Sequence, residues 1–465
     1  MKASESDQVC FDETLIKRYD GRGPRYTSYP TALQFDANLT VDMYQKNALA
    51  SNASGLPLSL YVHIPFCQTL CYYCGCNKIV TRNQARIGKY LEDLHAEIDM
   101  QSELFATDRK VEQLHFGGGT PTYLSDDQLG ALLRKLRSRF TFDDSGAHEF
   151  SIEVDPRTVT ETSMHMLGGM GFNRLSLGIQ DFDEAVQSAV NRLQSIEEVQ
   201  GLLDTSRAAG FRSVSFDLIY GLPHQTATSF DATLDIVIGM RPDRLAVYNY
   251  AHLPERFKGQ RMINDADLPS PQEKLDILHH TIDRLAKAGY VYIGMDHFAL
   301  PEDDLVRARH ERSLQRNFQG YSTHRQCDLI GLGVSAIGSI GNVYSQNAVS
   351  TIEYQSIIED GQLPVIRGIT VDADDMLRAS VIQALMCYDA LSFAAFNAEH
   401  DIDFEAYFAK EIDRLEPMVD DDLVNVDAQG IAITPKGRLL LRSIAMVFDR
   451  YIDADQHGLR YSKAI

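Results

Sequence analysis

Four of the seven cysteines crowd between positions 67 and 76, in the run YVHIPFCQTLCYYCGCNK. Cys67, Cys71 and Cys74 are spaced C-x3-C-x2-C, and Cys76 follows one residue later. Thiolates at these intervals, on a loop leaving an apolar run, can close around a single metal centre. Three donor sets compete. The first is zinc held by three of the cysteines and His63, although structural zinc usually takes two separated pairs and Cys10, Cys327 and Cys387 stand alone. The second is an electron-carrying [4Fe-4S] cluster, which needs a fourth thiolate from Cys76. The third is a [4Fe-4S] cluster on Cys67, Cys71 and Cys74 only. Its fourth iron stays open, able to bind the amine and carboxylate of a methionine and to pass an electron to its sulfonium. Cys76 is then expected to serve substrate chemistry, since Gly75 lets the backbone turn its thiol away from the cluster; a small packed residue is the plain alternative.

Other residues with chemical potential fall just after apolar runs. Gly117, Gly118 and Gly119, before Thr120, expose backbone groups to a ligand. No lysine follows them and no G-x-G-x-x-G is present, which argues against a phosphate loop. Glu153 closes the run SIEV, Gln180 and Asp181 follow SLGI, Arg192 sits in VNRLQ, and Asp217 lies inside SFDLIY. A carboxylate inside an apolar strand needs a partner, and several together point to a ligand. His115, His252 and His297 are weaker candidates, because a lone histidine beside a strand is more often a satisfied core residue.

These residues need a frame. Six apolar runs, at 58–64, 111–116, 149–154, 174–179, 214–220 and 244–250, alternate with helical patterns such as DQLGALLRKLRSRF and SIEEVQGLLDTSRAAG. Strand–helix alternation predicts a parallel sheet with helices outside it. Six units fall short of the eight that close a full barrel. The fold class expected is therefore α/β: a partial (β/α)6 TIM-like barrel over 58–300, with an N-terminal arm (1–57) and a mainly helical, winged-helix-like C-terminal domain (371–465). Residues 301–370, with GLGVSAIGSIGN at their centre, are expected to form an irregular Gly-rich connection lining the cavity. In such a frame chemistry gathers at the C-terminal ends of the strands.

The net charge of −21 disfavours nucleic acid and anionic membrane surfaces. No window is apolar enough to span a membrane and the N-terminus is polar and acidic, so a cytoplasmic location and reduced cysteines are expected. An anionic substrate would need local arginines, and Arg22, Arg25 and Arg316 fall in segments expected near the cleft.

The C-x3-C-x-Tyr-C pattern ending Tyr73-Cys74 resembles the radical SAM superfamily. The segments RYTSYPTA, HFGGGTPTYL, SIEVDP, FNRLSLGIQDF, DLIYGLPHQT, YNYAHLP, GMDHFA and RNFQGYSTH narrow the resemblance to the oxygen-independent coproporphyrinogen III oxidase family, from about residue 15 to the C-terminus. The chain departs from many superfamily relatives in having Gly-Thr where they have Gly-Glu. The resemblance implies conversion of two propionates of coproporphyrinogen III to vinyls by a 5′-deoxyadenosyl radical, giving protoporphyrinogen IX. It implies one cluster on Cys67, Cys71 and Cys74 and two S-adenosylmethionine molecules. Tyr61, Gly118, Glu153 and Ile337 would contact the first; Tyr73, Gly119, Thr120, Gln180, Arg192, Asp217 and Ala251 the second. Phe318 and Gln319 would lie at the substrate end. A low-potential electron donor, flavodoxin-like or equivalent, and a monomeric state are implied as well. Two alternatives share the barrel: a haem chaperone, which typically lacks the C-G-C extension and the RYTSYP arm, and another porphyrin-directed radical SAM enzyme.

Overall fold

The computed structural model describes residues 9–324 and 327–452; positions 1–8 of the expected arm and 453–465 of the expected C-terminal domain lie outside the described residues. Six parallel strands form the centre: β1 (Leu58–Ile64), β2 (Lys110–Gly118), β3 (Glu149–Val154), β4 (Arg174–Gln180), β5 (Ser213–Tyr220) and β6 (Arg244–Asn249). They are the six apolar runs, shifted at their ends by no more than two residues. Both faces of β1 are buried, which is why its sequence, LSLYVHI, is apolar almost throughout.

Helices cross back between the strands: α1 (Gln84–Ser102), α2 (Asp126–Arg139), α3 (Glu161–Gly169), α4 (Ile196–Ala208), α5 (Ala227–Met240) and α6 (Pro271–Lys287). Their starts are written locally. Ser125, Thr160, Ser195 and Thr226 each cap an N-terminus with a reciprocal bond from the third residue on, and Ser270 caps α6 ahead of Pro271. With the helix N-termini and the turns before them at one end, that end becomes the place for ligands.

The segment 301–370 is not the irregular connection expected. Its strand β7 (Asp328–Leu332) pairs in parallel with β1 as a seventh strand, and β8 (Ile337–Ile340), β9 (Val343–Asn347) and β10 (Val365–Thr370) continue the sheet antiparallel. Glycine misled the reading. At Gly331 a Cβ would stand 2.7 Å from the backbone of Ile337, so the glycine serves close strand approach rather than a loop. One irregularity sits at the other end of the barrel: Leu58 pairs with Val111 but Ser59 with Gln113, which leaves Glu112 as the extra residue of a β-bulge.

The main hydrophobic core lies between sheet and helices. A second core belongs to the C-terminal helices and takes in Tyr26 and Tyr29 from the arm. The expected strand pair there is Val424–Asp427 with Gly430–Ile433, joined by Ala390–Ser392 into three strands. The run after it is broken into two 3-10 turns around a short helix, Leu441–Ala445, instead of one continuous helix. Among the described residues no helix is long and apolar enough to cross a membrane.

Candidate active site

The loop after β1 brings three thiols to the rim of a cavity of about 390 Å³ at the C-terminal ends of the strands. Cys67 and Cys71 are buried and Cys74 is half-buried. Each is held by a different neighbour. Thr120 Oγ1 lies 3.5 Å from Cys67 Sγ, and Arg157 Nη2 and Arg192 Nη1 each lie 3.4 Å from Cys71 Sγ. Lys78 Nζ donates to the Cys74 carbonyl at 2.8 Å, and a hydrogen bond from the Cys76 thiol draws Cys74 down to about 6. Cys76 itself is exposed and lines the same cavity.

His63 is not available as a fourth metal ligand. Its Nδ1 meets Tyr61 Oη and its Nε2 the Asn77 carbonyl, both at 3.0 Å, and burial lowers its pKa. The ring instead faces Gly118, whose φ is +121° and whose Cβ, if it had one, would meet the imidazole at 2.8 Å.

Across the cavity stand the strand-end polar groups. The Gly118 N–H donates to Glu153 Oε2 at 3.2 Å, and His115 Nε2 approaches Glu153 Oε1 at 3.4 Å. Burial pushes Glu153 up, but the bond and charge of His115, with the Gly118 amide, hold its carboxyl below the ordinary value. His115, read as a packing residue, therefore belongs to the site. Asp217 accepts from Ser176 Oγ at 2.8 Å, and burial, with Glu153 nearby, pushes it up to about 7. Glu153 and Asp217 thus differ in charge near neutrality, one ionised and one poised to hold a proton. Gln180 ends β4 with φ +67°, a strained conformation for a non-glycine residue that re-aims the chain at the cavity. Asp181 turns away: it accepts from Thr233 Oγ1 and Gln225 Nε2 at 2.5 Å each and is a structural anchor.

Tyr73, Gly119 and Thr120 complete the lining with Gln180 and Arg192. Three expected residues lie elsewhere. Tyr61 is one layer down, stacked on His115; Ile337 opens β8, against Gly331; Ala251 faces a separate cavity. Phe318 and Gln319 are neighbours in sequence at the turn of a tight hairpin, and they part. Gln319 enters a chamber of about 130 Å³ beneath Glu153 and Asp217, while Phe318 lines a cavity of about 460 Å³ toward the other end of the strands.

The ion pair of Asp155 with Arg157 (2.7 Å) and Arg192 (3.0 Å) was not singled out in the sequence, although the turn DPRT after β3 was visible. His252 is satisfied by Tyr250 and Asp265, and His297 is a half-buried ring lowered to about 3 by desolvation and by Arg316. A cavity of about 670 Å³ lies between the arm and the ends of β5 and β6, and Lys17, Arg22, Arg25 and Lys274 line it. Arg25 is already engaged with Asp296 at 2.6 Å. Arg316 is buried on the 460 Å³ cavity, its guanidinium over the Tyr321 ring.

Residues 61–237 match the family described as the radical SAM superfamily, and residues 371–440 that described as the HemN C-terminal domain. The oxygen-independent coproporphyrinogen III oxidase of Pseudomonas aeruginosa is 51% identical over 460 residues, 99% of this chain and 100% of that protein. Its counterpart from Escherichia coli is 48% identical over 98% of this chain and 99% of that protein. A solved structure described as coproporphyrinogen III oxidase (HemN) from Escherichia coli, a radical SAM enzyme, superposes with a TM-score of 0.91 at 49% identity, covering 96% of this chain and all of that one.

Proposed function

We infer the roles of individual residues from one premise: this chain belongs to the oxygen-independent coproporphyrinogen III oxidases, radical SAM enzymes of haem biosynthesis. The overall reaction is the oxidative decarboxylation of two propionates of coproporphyrinogen III to vinyls. Each event removes a hydrogen atom, carbon dioxide and one further electron from the substrate.

The donor set fits a [4Fe-4S] cluster with an open iron: three thiols converge, the neighbouring histidine is occupied, and the cavity beyond them is of ligand size. Cys67, Cys71 and Cys74 would hold such a cluster, which would supply the electron for reductive cleavage of S-adenosylmethionine. The chain's own groups position that cofactor. In this reading Glu153, ionised, and the Gly118 backbone receive a methionine ammonium close to the thiols. Asp217, with Gln180, Arg192, Tyr73, Gly119 and Thr120, receives a second S-adenosylmethionine, matching the two decarboxylations. Support for two sites is that Glu153 and Asp217 lie on different strands with opposite pKa shifts. Ala251 stays a candidate for this set, since Gln260 Nε2 joins its carbonyl to that of Tyr73 (3.2 and 2.9 Å), and Ile337 is carried by the resemblance alone.

The substrate carboxylates are assigned to Lys17, Arg22 and Lys274 in the arm cavity, whose volume suits a tetrapyrrole edge. Cys76, at the cluster mouth, is assigned to substrate chemistry, Gln319 to the barrel interior and Phe318 to the wall of the 460 Å³ cavity. A low-potential electron donor serves a monomer, with neither nucleic acid nor membrane as partner, in keeping with the −21 charge.

One observation carries the reading: the thiols of Cys67, Cys71 and Cys74, with Cys76 beside them, share a single cavity with the carboxylates Glu153 and Asp217. Anaerobic incubation of reconstituted protein with S-adenosylmethionine, reductant and coproporphyrinogen III should yield protoporphyrinogen IX and 5′-deoxyadenosine. Haem capture without product would instead favour a chaperone.

A further inference from the structure

We propose that Glu112, His324 and Cys327 form a second metal site, for one Zn²⁺, at the end of the barrel remote from the cluster. The three ligand atoms all lie within 4.8 Å of one another, and His324 Nδ1 stands 3.4 Å from Glu112 Oε2. A tetrahedron with bonds of about 2.0–2.3 Å has edges of roughly 3.3–3.8 Å, so one pair is at ligand spacing and the others, within 4.8 Å, need to contract by no more than about 1–1.5 Å. The six residue-to-residue steps from Glu112 to Gly118 along β2 separate this group from the cluster loop by roughly 20 Å.

The backbone presents each ligand for a reason. Glu112 is the extra residue of the bulge in β2, and a bulge re-aims its side chain out of the strand's alternation. On either side of it the strands are fixed, Gln113 donating to Ser322 Oγ at 2.6 Å. The same Ser322 hydroxyl accepts the His324 N–H at 3.2 Å, and Thr323 Oγ1 is tied to Glu149 at 2.8 Å. Cys327 directly precedes Asp328, whose N–H bonds the Pro57 carbonyl and whose carboxylate pairs with Arg109. The ligands therefore come from three anchored points rather than from mobile loop tips.

The donor set selects the ion. One thiolate, one imidazole and one carboxylate suit a borderline cation, not magnesium or calcium. With a neutral imidazole the site carries two negative charges, which a divalent ion balances. The Cys327 thiol gives up its proton as the metal–sulfur bond forms. His324 and Cys327 line the 460 Å³ cavity, so the fourth position falls to water or to a group entering it.

The test uses the full chain with its iron–sulfur cluster rebuilt anaerobically, incubated with Zn²⁺ and desalted. Metal analysis should find one zinc per chain at unchanged iron and sulfide. Cys327→Ala and His324→Ala should each weaken zinc binding by at least about a hundredfold and keep their iron. The triple variant Cys67→Ser, Cys71→Ser, Cys74→Ser should lose its iron and still take up one zinc, with a zinc absorption edge showing one sulfur neighbour. Substoichiometric zinc in the wild type overturns the proposal. So does full zinc retention in both Cys327→Ala and His324→Ala, or loss of zinc in the triple variant. None of these outcomes depends on turnover, so the site and the oxidase reading stand or fall separately.

Discussion

Replacing Arg157 should make the cluster harder to reduce. Its guanidinium and that of Arg192 both reach Cys71 Sγ at 3.4 Å, so two positive charges bear on one proposed ligand. An electron added to the cluster lies about 6 Å from the Arg157 charge, and at an effective dielectric of 20 that attraction is about 2.8 kcal/mol. Asp155, 2.7 Å from Arg157, offsets it; taking half as cancelled leaves about 1.4 kcal/mol. For a one-electron couple that is a midpoint shift of about 60 mV. Arg157→Gln should therefore lower the potential by about 60 mV, and Arg157→Lys, which keeps the charge, by less than half of that. The assay is an anaerobic redox titration followed by the electron paramagnetic resonance of the reduced cluster, at equal iron content and without S-adenosylmethionine. A shift under about 15 mV, or an upward one, would refute the electrostatic argument and leave the Arg157–Asp155 pair as scaffolding.

Cys76→Ser should keep full iron and sulfide, bind S-adenosylmethionine and lose protoporphyrinogen formation; loss of the cluster would make Cys76 a ligand. Glu153→Gln and Asp217→Asn should abolish different binding events in an anaerobic titration, two molecules per chain falling to one in each. Asp217→Asn should also be more stable than the wild type at pH 8 but not at pH 4. The folded value near 7 exceeds the unfolded one near 3.8, so the wild type loses stability as pH rises between them; water in the cavity reduces the nominal ~4 kcal/mol to about 1–2 kcal/mol, read by denaturant titration. Arg22→Ala combined with Lys17→Ala should raise the KM for coproporphyrinogen about tenfold at unchanged iron. This pair is a cleaner probe than removing the arm, because Tyr26 and Tyr29 are part of the C-terminal core.

The barrel was legible because its strands are apolar either throughout, as in β1, or at every second position, as in β3 and β5, where half-buried polar residues alternate with buried ones. The cysteine loop was legible because three of its cysteines, Cys67, Cys71 and Cys74, fall within eight residues. Where the sequence misled, tertiary pairing decided. The strand 328–332 reads as DLIGL, and its glycine marks close packing on Ile337 that no local pattern reveals. His115 looks like any histidine in a strand until Glu153 arrives from the next one. Ala251 follows β6, and the bond of Gln260 Nε2 to both its carbonyl and that of Tyr73 is a link no local pattern shows. Phe318 and Gln319 separate because a two-residue turn sends adjacent side chains opposite ways. Cys327 seemed solitary since its proposed partner Glu112 is more than two hundred positions away.

The pairing of β1 with β7 bears on how the chain is made. β1 ends at residue 64, and the strand that covers its outer edge begins at residue 328. A ribosome adding ~5–20 residues per second needs on the order of tens of seconds to span that interval. Throughout it LSLYVHI presents an open row of amides and carbonyls on an apolar ribbon, the form of edge that invites pairing with another nascent chain. The cysteine loop hangs from the same strand, so cluster insertion before residue 328 emerges would act on a half-closed barrel. Slower synthesis, or crowding of polysomes, should thus favour aggregation of this protein over assembly of its cofactor, and chaperones that shield strand edges should matter most in that window.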